Sequence, residues 1–543
     1  MAAAAATGLA VLLAGCTTVA APSAGAAGPI ASTTSGEVGG TLDSGIAVFK
    51  GIPYAAPPVG ELRWAPPAPA ARWQGVKSAR DFGPACVQPE VPGQSIYNDP
   101  PAEQSEDCLT LNVWSPEAAR KAPVVVWIHG GSLRTGAGSA PLYDGGVYAR
   151  RGVVFVSLNY RLGALGWLAH RELSAGSADE ISGNYGLLDQ IAALAWVREN
   201  AAAFGGDPGN VTIMGESAGA LSATYLLASP RAKGLFDKAI VQSPNSRAFP
   251  ELSQAANGLP SAETIGGLAL RALGAENIAA ARSLSAREVI DRTSAAGFPA
   301  QGTIDGKILP RQIVDTFDRG EQAQVPLIVG FNGDEVRTQR AFLPDIPEDA
   351  AEYARRIGQG YGDLAPEFLR LYPASGGEQS ALDALRDGIY GWAAERLAMK
   401  QAEAGVPSYL YVFDHCYPAA EARDICGFHA SEVPFTFGNF DPGDLPPRWP
   451  APGGERDTAL SNAMLDYWTS FARDGQPRSP GHAAWPAYAS GQSYMLFDGT
   501  AQASRDPYPG MFELNEAFAA QRRAAGEAWG LAIGLGAAPK GEQ

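Results

Sequence analysis

Val-Thr-Ile-Met-Gly-Glu-Ser-Ala-Gly, at residues 211–219, is the stretch of sequence that decides the fold. Its β-branched start predicts a strand, and the helix-forming residues 220–227 follow at once. A chain that turns this sharply from strand to helix leaves little room for side chains, which accounts for the glycines two residues before and two residues after Ser217. We therefore expect Ser217 at the tip of a strand–turn–helix unit, where the helix N-terminus favours a developing negative charge.

Length and composition place the chain among globular proteins and argue against a nucleic-acid partner. Its 543 residues are 46% hydrophobic, which is enough to bury a large core. Acidic residues outnumber basic ones by 57 to 41, giving a formal net charge of −16, and the sequence contains no run of Lys or Arg that could grip a phosphate backbone. We interpret the acidity as a contribution to solubility.

Several apolar runs predict strands at the centre of a sheet. Residues 124–128 and 153–158 are apolar without alternation, which is typical of strands covered on both faces. Residues 187–203 have helical periodicity and lead into the strand before Ser217. Further strands are predicted at residues 239–242, 326–331, 409–413 and 494–497. Strands that alternate with helices predict an α/β fold with a large, doubly wound, mostly parallel sheet and helices on both faces.

We predict one large catalytic domain, residues 37–543, because the sequence shows no internal repeat and no second core. Residues 250–320 and 340–405 are helical and rich in alanine, with weaker strand signals. We expect these two segments to cover the active-site edge of the sheet.

The N-terminus has the composition of an export signal. Residues 2–15 form an apolar run that is too short to span a bilayer in the mature protein, and the run ends in Leu-Ala-Gly-Cys at Cys16. Because this ending resembles a bacterial lipoprotein processing box, we predict a signal peptide at residues 1–16, lipidation of Cys16, and a flexible linker at residues 17–36. The alternative is cleavage after the small residues 24–26, which would release a protein without the lipid. We expect an exported protein that is periplasmic or anchored to the outer membrane, with membrane contact only through the anchor, or a secreted protein in the alternative.

The remaining four cysteines form two pairs that are close in sequence, Cys86 with Cys108 and Cys416 with Cys426. Export makes disulfides plausible for both pairs. The alternative is four unrelated buried thiols.

A serine nucleophile needs a base within hydrogen-bonding reach. The chain has five histidines, His129, His170, His415, His429 and His482. His429 follows a predicted strand and a loop held by the second cysteine pair, so we choose it as the base. We expect His129, at the end of a strand and before two glycines, to shape the oxyanion loop.

The acid that orients the base is predicted at the end of the strand at residues 326–331, where Asp334 and Glu335 are adjacent. Either carboxylate could serve on physical grounds, and Asp334 could equally cap the next helical segment.

Backbone donors for an oxyanion are predicted in two places. The sequence Gly130-Gly131-Ser132 leaves N–H groups unobstructed at the end of a strand, and Ala218 adds an N–H directly after the nucleophile. The alternative for the two glycines is a simple bend.

Further motifs lie in order along the chain: FKGIPYA at 49–55, SEDCLTLNV at 105–113, NYRLG at 159–163, GNYGLLDQ at 183–190 and FGGDP at 204–208. Together with the serine turn, they make the chain resemble the type-B carboxylesterase family, which includes bacterial para-nitrobenzyl esterases, secreted lipases and the cholinesterases. The resemblance runs from about residue 37 to about residue 500.

This resemblance implies an α/β-hydrolase fold with the catalytic residues Ser217, Glu335 and His429 in that chain order. It also implies oxyanion donors at Gly131, Ser132 and Ala218, a disulfide between Cys86 and Cys108, and a hydrogen-bonded layer of Glu432 and Ser243 behind the histidine. No metal or cofactor is expected.

The chain departs from the family pattern in two places. Leu133 and Arg134 stand where relatives commonly have an aromatic pair after the oxyanion glycines. Arg134 could attract a substrate that carries a carboxylate, or it could form a salt bridge to a structural acid. The segment between Cys86 and Cys108 contains no Trp and only Tyr97 as an aromatic residue, so choline esters are a poor choice of substrate.

We therefore expect a carboxylesterase that hydrolyses esters of small molecules through an acyl-enzyme, acting as a monomer. One alternative is an enzyme specialised for anionic, polycarboxylate or bulky esters. Another is an acyltransferase that uses an alcohol as acceptor, and the least favoured is a binding protein without catalysis, which an intact Ser, Glu and His set argues against.

Overall fold

The computed structural model describes residues 1–2, 28–91, 93, 95–489 and 491–539. The strands in this part of the chain are β1 Ile30–Thr33, β2 Gly36–Gly39, β3 Thr41–Asp43, β4 Ile46–Pro53, β5 Val76–Ser78, β6 Ala85–Cys86, β7 Gln104–Ser105, β8 Thr110–Pro116, β9 Ala122–Ile128, β10 Val154–Leu158, β11 Gly206–Glu216, β12 Lys238–Gln242, β13 Leu327–Asn332, β14 Ser408–Phe413, β15 Ser493–Phe497 and β16 Ala501–Arg505.

The α-helices of the same residues are α1 Gly146–Arg150, α2 Gly163–Trp167, α3 Arg171–Ala175, α4 Tyr185–Asn200, α5 Ala218–Ala228, α6 Ala262–Leu273, α7 Ile278–Arg282, α8 Ala286–Ala295, α9 Ile313–Asp318, α10 Ala350–Tyr361, α11 Ala365–Leu371, α12 Glu378–Arg386, α13 Trp392–Glu403, α14 Pro418–Glu421, α15 Val433–Phe437, α16 Glu455–Asp474 and α17 Met511–Ala524. A π-helical turn, Asp387–Gly391, joins α12 to α13.

The centre of the structure is an eleven-stranded sheet with the order β16-β15-β14-β13-β12-β11-β9-β10-β8-β4-β3. The seven strands from β15 to β10 in this order run parallel to one another. Antiparallel pairs, β15 with β16 and β10 with β8, follow on either side. The strand that precedes Ser217, β11, lies between β9 and β12. The carboxyl ends of these three strands therefore meet at one edge of the sheet, where ligands bind in open α/β sheets.

Both faces of the sheet are buried, which explains the apolar runs without alternation. In β9, Val124 and Val126 pack into the core on one face, and Val125 and Trp127 pack into the core on the other. All seven residues of β9 are buried. A strand covered on both sides has no exposed position for a polar side chain.

The predicted elements are found with small shifts at their ends. The predicted strands at residues 124–128, 153–158, 239–242, 326–331, 409–413 and 494–497 correspond to β9, β10, β12, β13, β14 and β15. The two predicted helical segments contain α6 to α9 and α10 to α13. The second segment reaches the site directly, because Tyr390, in the π-helical turn, lies against His429.

The predicted linker at residues 17–36 is wrong at its C-terminal end. Ile30–Thr33 and Gly36–Gly39 form an antiparallel hairpin, and the backbone N–H of Thr34 donates to Oδ1 of Asn200 at 2.7 Å. Ala31 is buried. The folded body thus begins before the predicted boundary at residue 37, because this short, small-residue stretch completes a second sheet with β5. The signal peptide, Cys16 and the start of the linker lie outside the described residues, apart from residues 1–2.

No helix in the described part of the chain is long and apolar enough to cross a membrane.

Candidate active site

Ser217 lies between the end of β11 and the start of α5 with a backbone conformation that L-residues rarely adopt, φ 55° and ψ −118°. Its backbone N–H donates to the carbonyl oxygen of Gln242 at 2.9 Å, which ties the turn to β12. A Cβ added to Gly219 would lie 2.0 Å from the carbonyl oxygen of Ile128. The turn therefore requires glycine at this position, as the sequence predicts.

The structure brings His429 and Glu335 to this serine in one line. The Ser217 hydroxyl lies 2.8 Å from Nε2 of His429, and Nδ1 of His429 lies 2.5 Å from Oε2 of Glu335. Glu335 is fully buried, and its other oxygen accepts the backbone N–H of Asn332 at 2.9 Å. Asp334, the alternative acid, instead pairs with Arg337 at 2.6 Å.

The loop that carries His429 is held at several points. A disulfide joins Cys416 to Cys426, and the carbonyl oxygen of Gly427 accepts the N–H of Asp334 at 2.9 Å. The Tyr97 hydroxyl donates to the carbonyl oxygen of His429 at 3.0 Å. The ring of Tyr390 lies 5.1 Å from the imidazole, centroid to centroid. These contacts fix the imidazole from both its backbone and its face.

The loop after β9 packs directly against the nucleophile. A Cβ added to Gly130 would lie 3.2 Å from Cβ of Ser217, and the two following residues have positive φ, 103° at Gly131 and 57° at Ser132. Among the hydrogen bonds of the described residues, none uses the backbone N–H of Gly131, Ser132 or Ala218. The loop beside the serine and the residue after the serine thus hold three unused backbone donors.

His129 sits below this loop as a buried, neutral side chain. Its Nδ1 lies 2.8 Å from the carbonyl oxygen of Gly130, and its ring stacks on Tyr160 with 4.5 Å between centroids. Burial lowers the pKa of His129 to about 4. The geometry matches the expected role in shaping the loop. Of the other histidines, His415 is buried against Asp457 and His170 caps α3.

Glu432 lies behind the histidine as expected, but Ser243 does not hydrogen bond to it. Oε2 of Glu432 accepts from Nδ2 of Asn332 at 2.6 Å, and Oε1 accepts from Nε2 of Gln242 at 3.4 Å. The hydroxyl of Ser243 is buried and has no hydrogen-bond partner in the described residues. The expected hydrogen bond between Glu432 and Ser243 is therefore wrong, because two amide side chains already supply the donors to the Glu432 carboxylate.

Glu216 is a site residue that the sequence reasoning did not select. Its carboxylate is buried, with Oε1 3.2 Å from Nε2 of His429. Burial, together with the carboxylates of Glu432 and Glu335, raises the pKa of Glu216 to about 8, against the opposing effect of His429. The sequence feature that could have identified Glu216 is its position, directly before the serine in the glycine-flanked motif.

The imidazole of His429 is surrounded by three buried carboxylates. Burial alone would lower the pKa of His429, but the nearby Glu216 and Glu335 outweigh it and raise that pKa to about 9. Burial and the neighbouring Glu335 raise the pKa of Glu432 to about 7. The site therefore favours a positive charge on the imidazole, the charge that forms when histidine takes a proton from serine.

Arg134 has no ion-pair or hydrogen-bond partner for its side chain among the described residues. The side chain is half-buried, and the preceding Leu133 is buried with its carbonyl oxygen accepting from Gly163 at 2.8 Å. The described residues therefore contain no salt bridge between Arg134 and a structural acid, which was the alternative. The other disulfide predicted from the sequence, Cys86 to Cys108, is present.

Within the described ranges, no group of three or more His, Cys, Asp or Glu side chains could hold a metal ion.

Comparisons with known proteins agree on one family. A family model described as the carboxylesterase family matches residues 27–362 and 373–511. The chain is 38% identical to a fumonisin B1 esterase of Sphingopyxis macrogoltabida over 475 residues, covering 86% of this chain and 85% of that protein. It is 36% identical to a para-nitrobenzyl esterase of Bacillus subtilis (strain 168), covering 88% of this chain and 96% of that one. A solved PNB esterase structure superposes with a TM-score of 0.78 at 34% identity, covering 89% of this chain and 99% of the other.

We expect replacement Glu216→Gln to move the acid limb of the kcat/KM profile to lower pH. The carboxylate stabilises protonated His429, so its removal lowers the pKa of the imidazole and leaves the free base present at lower pH. The profile is measured on a neutral nitrophenyl ester, with Glu199→Gln, an exposed position on α4, as the control. An unchanged acid limb would contradict the assigned electrostatic coupling.

Proposed function

Because the chain belongs to the carboxylesterase family, we propose that it hydrolyses carboxylic esters of small molecules through an acyl-enzyme formed on Ser217, with His429 as base and Glu335 as the acid that orients it. The family and the α/β-hydrolase fold expected from the sequence are both confirmed. The single observation that carries the residue assignment is the unbroken line of contacts from serine to histidine to glutamate, 2.8 Å and 2.5 Å long.

The first half of the reaction transfers the acyl group to the enzyme. His429 takes the proton from the Ser217 hydroxyl as the oxygen attacks the ester carbonyl, and Glu335 holds the imidazole and stabilises its cation. The N–H groups of Gly131, Ser132 and Ala218 then bind the oxyanion. Each such donor contributes roughly 2.7–4 kcal/mol to the transition state. His429 returns its proton to the departing alcohol.

The second half releases the acid. His429 removes a proton from a water molecule as it attacks the acyl-enzyme carbonyl, and the same backbone donors bind the second oxyanion. Collapse of this intermediate returns the proton to Ser217 and frees the carboxylic acid. An added alcohol could compete with water at this step, so product analysis with alcohol present tests the acyltransferase alternative.

We infer the substrate class from residues of this chain, because the relatives are named for different substrates. One is named for fumonisin B1 and another for para-nitrobenzyl esters. Arg134 is the residue we assign to substrate contact. It follows Ser132 by two residues in the oxyanion loop, and its guanidinium has no acidic partner in the described part of the chain. An anionic or polycarboxylate ester suits such a cation.

We also propose that the protein is an exported monomer, lipidated at Cys16 after removal of residues 1–15. Two disulfides are typical of proteins that leave the reducing cytoplasm. Mass spectrometry of the mature N-terminus distinguishes a diacylated Cys16 from a free terminus near residue 27.

Replacement Ser217→Ala should abolish ester turnover, with kcat lower by roughly 10⁶-fold, because no other group can form the acyl-enzyme. Labelling by an organophosphate should disappear as well. Ser44→Ala, an exposed position between β3 and β4, is the control and should keep both properties. Turnover by the folded Ser217→Ala protein would refute the proposed nucleophile.

Replacement Arg134→Ala should lower kcat/KM for an anionic ester relative to a neutral ester of the same size by about fivefold, since a half-exposed ion pair contributes up to about 1 kcal/mol. The exposed Arg319, at the end of α9, provides the matched control, Arg319→Ala. An unchanged ratio in Arg134→Ala would reject Arg134 as a substrate contact.

A further inference from the structure

Arg247 lies on the loop that leaves the sheet beside the nucleophile. Gln242, the last residue of β12, accepts the backbone N–H of Ser217, and Arg247 follows it by five residues. The backbone there is held in place, since the next residue, Ala248, donates to the carbonyl oxygen of Trp529 at 3.1 Å and a Cβ on Gly530 would lie 2.6 Å from Cα of Arg247.

Arg247 is half-buried, and its guanidinium has no anionic partner in the described residues. Its centre lies 5.3 Å from the ring centroid of Phe249, and Nη1 donates to Oδ1 of Asn245 at 3.2 Å. Nε is buried without a hydrogen-bond partner in the described residues. No carboxylate of those residues lies within ion-pairing distance of this guanidinium.

The more deeply buried arginines of the described chain differ from Arg247, because they have ion-pair partners. Five arginines are almost fully buried, and each is paired with a carboxylate: Arg63 with Glu106, Arg161 with Asp189, Arg386 with Asp387, Arg396 with Glu516 and Arg522 with Glu527. Leaving a desolvated cation without an anion is costly. In the described part of the chain, no acidic residue pairs with Arg247.

The ionisable groups that bear on Arg247 are two tyrosines, and one of them connects it to the catalytic line. Tyr225 lies on α5, the helix that begins directly after Ser217. Tyr390 lies against the imidazole of His429, with 5.1 Å between ring centroids. Burial raises the pKa of Tyr390, so this ring is neutral at pH 7 and does not neutralise the guanidinium. Tyr390 thus contacts the imidazole of His429 and also acts electrostatically on Arg247.

We propose that Arg247 binds a free carboxylate of the ester substrate, so that the enzyme prefers esters of di- or polycarboxylic acids, or of alcohols bearing a carboxylate, over neutral esters. This proposal rests on the proposed function, because it assigns the substrate class of the same site. A guanidinium binds a carboxylate in bidentate fashion, and the partial exposure of Arg247 leaves it accessible to a ligand. Arg134 is also unpaired in the described residues, so each of the loops after β9 and β12 carries one such cation, which fits a substrate with more than one carboxylate.

The test compares matched anionic and neutral esters. One pair places the charge in the acyl part, 4-nitrophenyl hydrogen glutarate against 4-nitrophenyl pentanoate. The other places it in the alcohol part, 4-acetoxybenzoate against 4-acetoxybenzamide. The kcat/KM ratio within each pair is measured for the wild type, Arg247→Gln, Arg247→Lys and the control Arg271→Gln, an exposed position on α6 that changes the net charge equally.

We expect Arg247→Gln to lower the anionic-to-neutral ratio by at least about tenfold in one pair, because a desolvated charge pair loses one partner. Arg247→Lys should retain part of the preference, since the charge remains but the planar fork is lost. Arg271→Gln should leave both ratios at the wild-type values. The pair that responds shows which part of the substrate carries the carboxylate.

Unchanged ratios in both pairs for Arg247→Gln would overturn the proposal, while turnover of the neutral esters by the wild type would keep the proposed function intact. If Arg247→Gln does not fold, inhibition of the wild type decides instead. Glutarate should then inhibit at lower concentration than glutaramide at equal ionic strength, and equal inhibition would overturn the proposal. Loss of all turnover in the wild type would contradict the proposed function rather than the assignment of Arg247.

Discussion

The strained backbone of Ser217 is the constraint on which the rest of the site depends. A non-glycine residue at φ 55° and ψ −118° costs on the order of 1–3 kcal/mol and persists only where the surrounding structure holds it. Here β11 lies between two parallel strands, the serine N–H is bound by Gln242, and Gly219 lies against the end of β9. The same contacts bring three strand ends together, and these ends carry the nucleophile, the oxyanion loop and the loop of Arg247.

The electrostatics around His429 follow from how deeply the turn is buried. Glu216, Glu335 and Glu432 are nearly or fully inaccessible to solvent, so water does not screen their effect on the imidazole. Amide donors from Asn332 and Gln242 and the backbone of residue 332 satisfy much of this negative charge. The result is a pocket that stabilises the imidazolium of the transition state, and in which the pKa values of Glu216 and Glu432 are raised.

The fold and the catalytic line could be predicted because they leave local signals in the sequence. Apolar runs covered on both faces identify β9, β10 and β13, and the glycines around Ser217 report its turn. The N-terminal hairpin could not be predicted in the same way, since it is held by β5 and by Asn200, both distant in sequence, and not by a pattern of its own. Family resemblance chose Glu335 over Asp334, whereas the residues alone left both open.

Whether a polar or charged side chain has a hydrogen-bond or ion-pair partner depends on the tertiary structure. Nothing in the residues around Ser243 indicates that its hydroxyl stays unbonded, nor around Arg134 and Arg247 that their guanidinium groups lack carboxylates in the described structure. The role proposed for these two arginines is inferred from their surroundings in the structure. The net charge of −16 on the chain disfavours the approach of an anionic ester. Arg134 and Arg247, on the two loops that follow β9 and β12, have no ion pair in the described residues and oppose this field locally. In the proposed complex, a carboxylate on the substrate is their counter-charge.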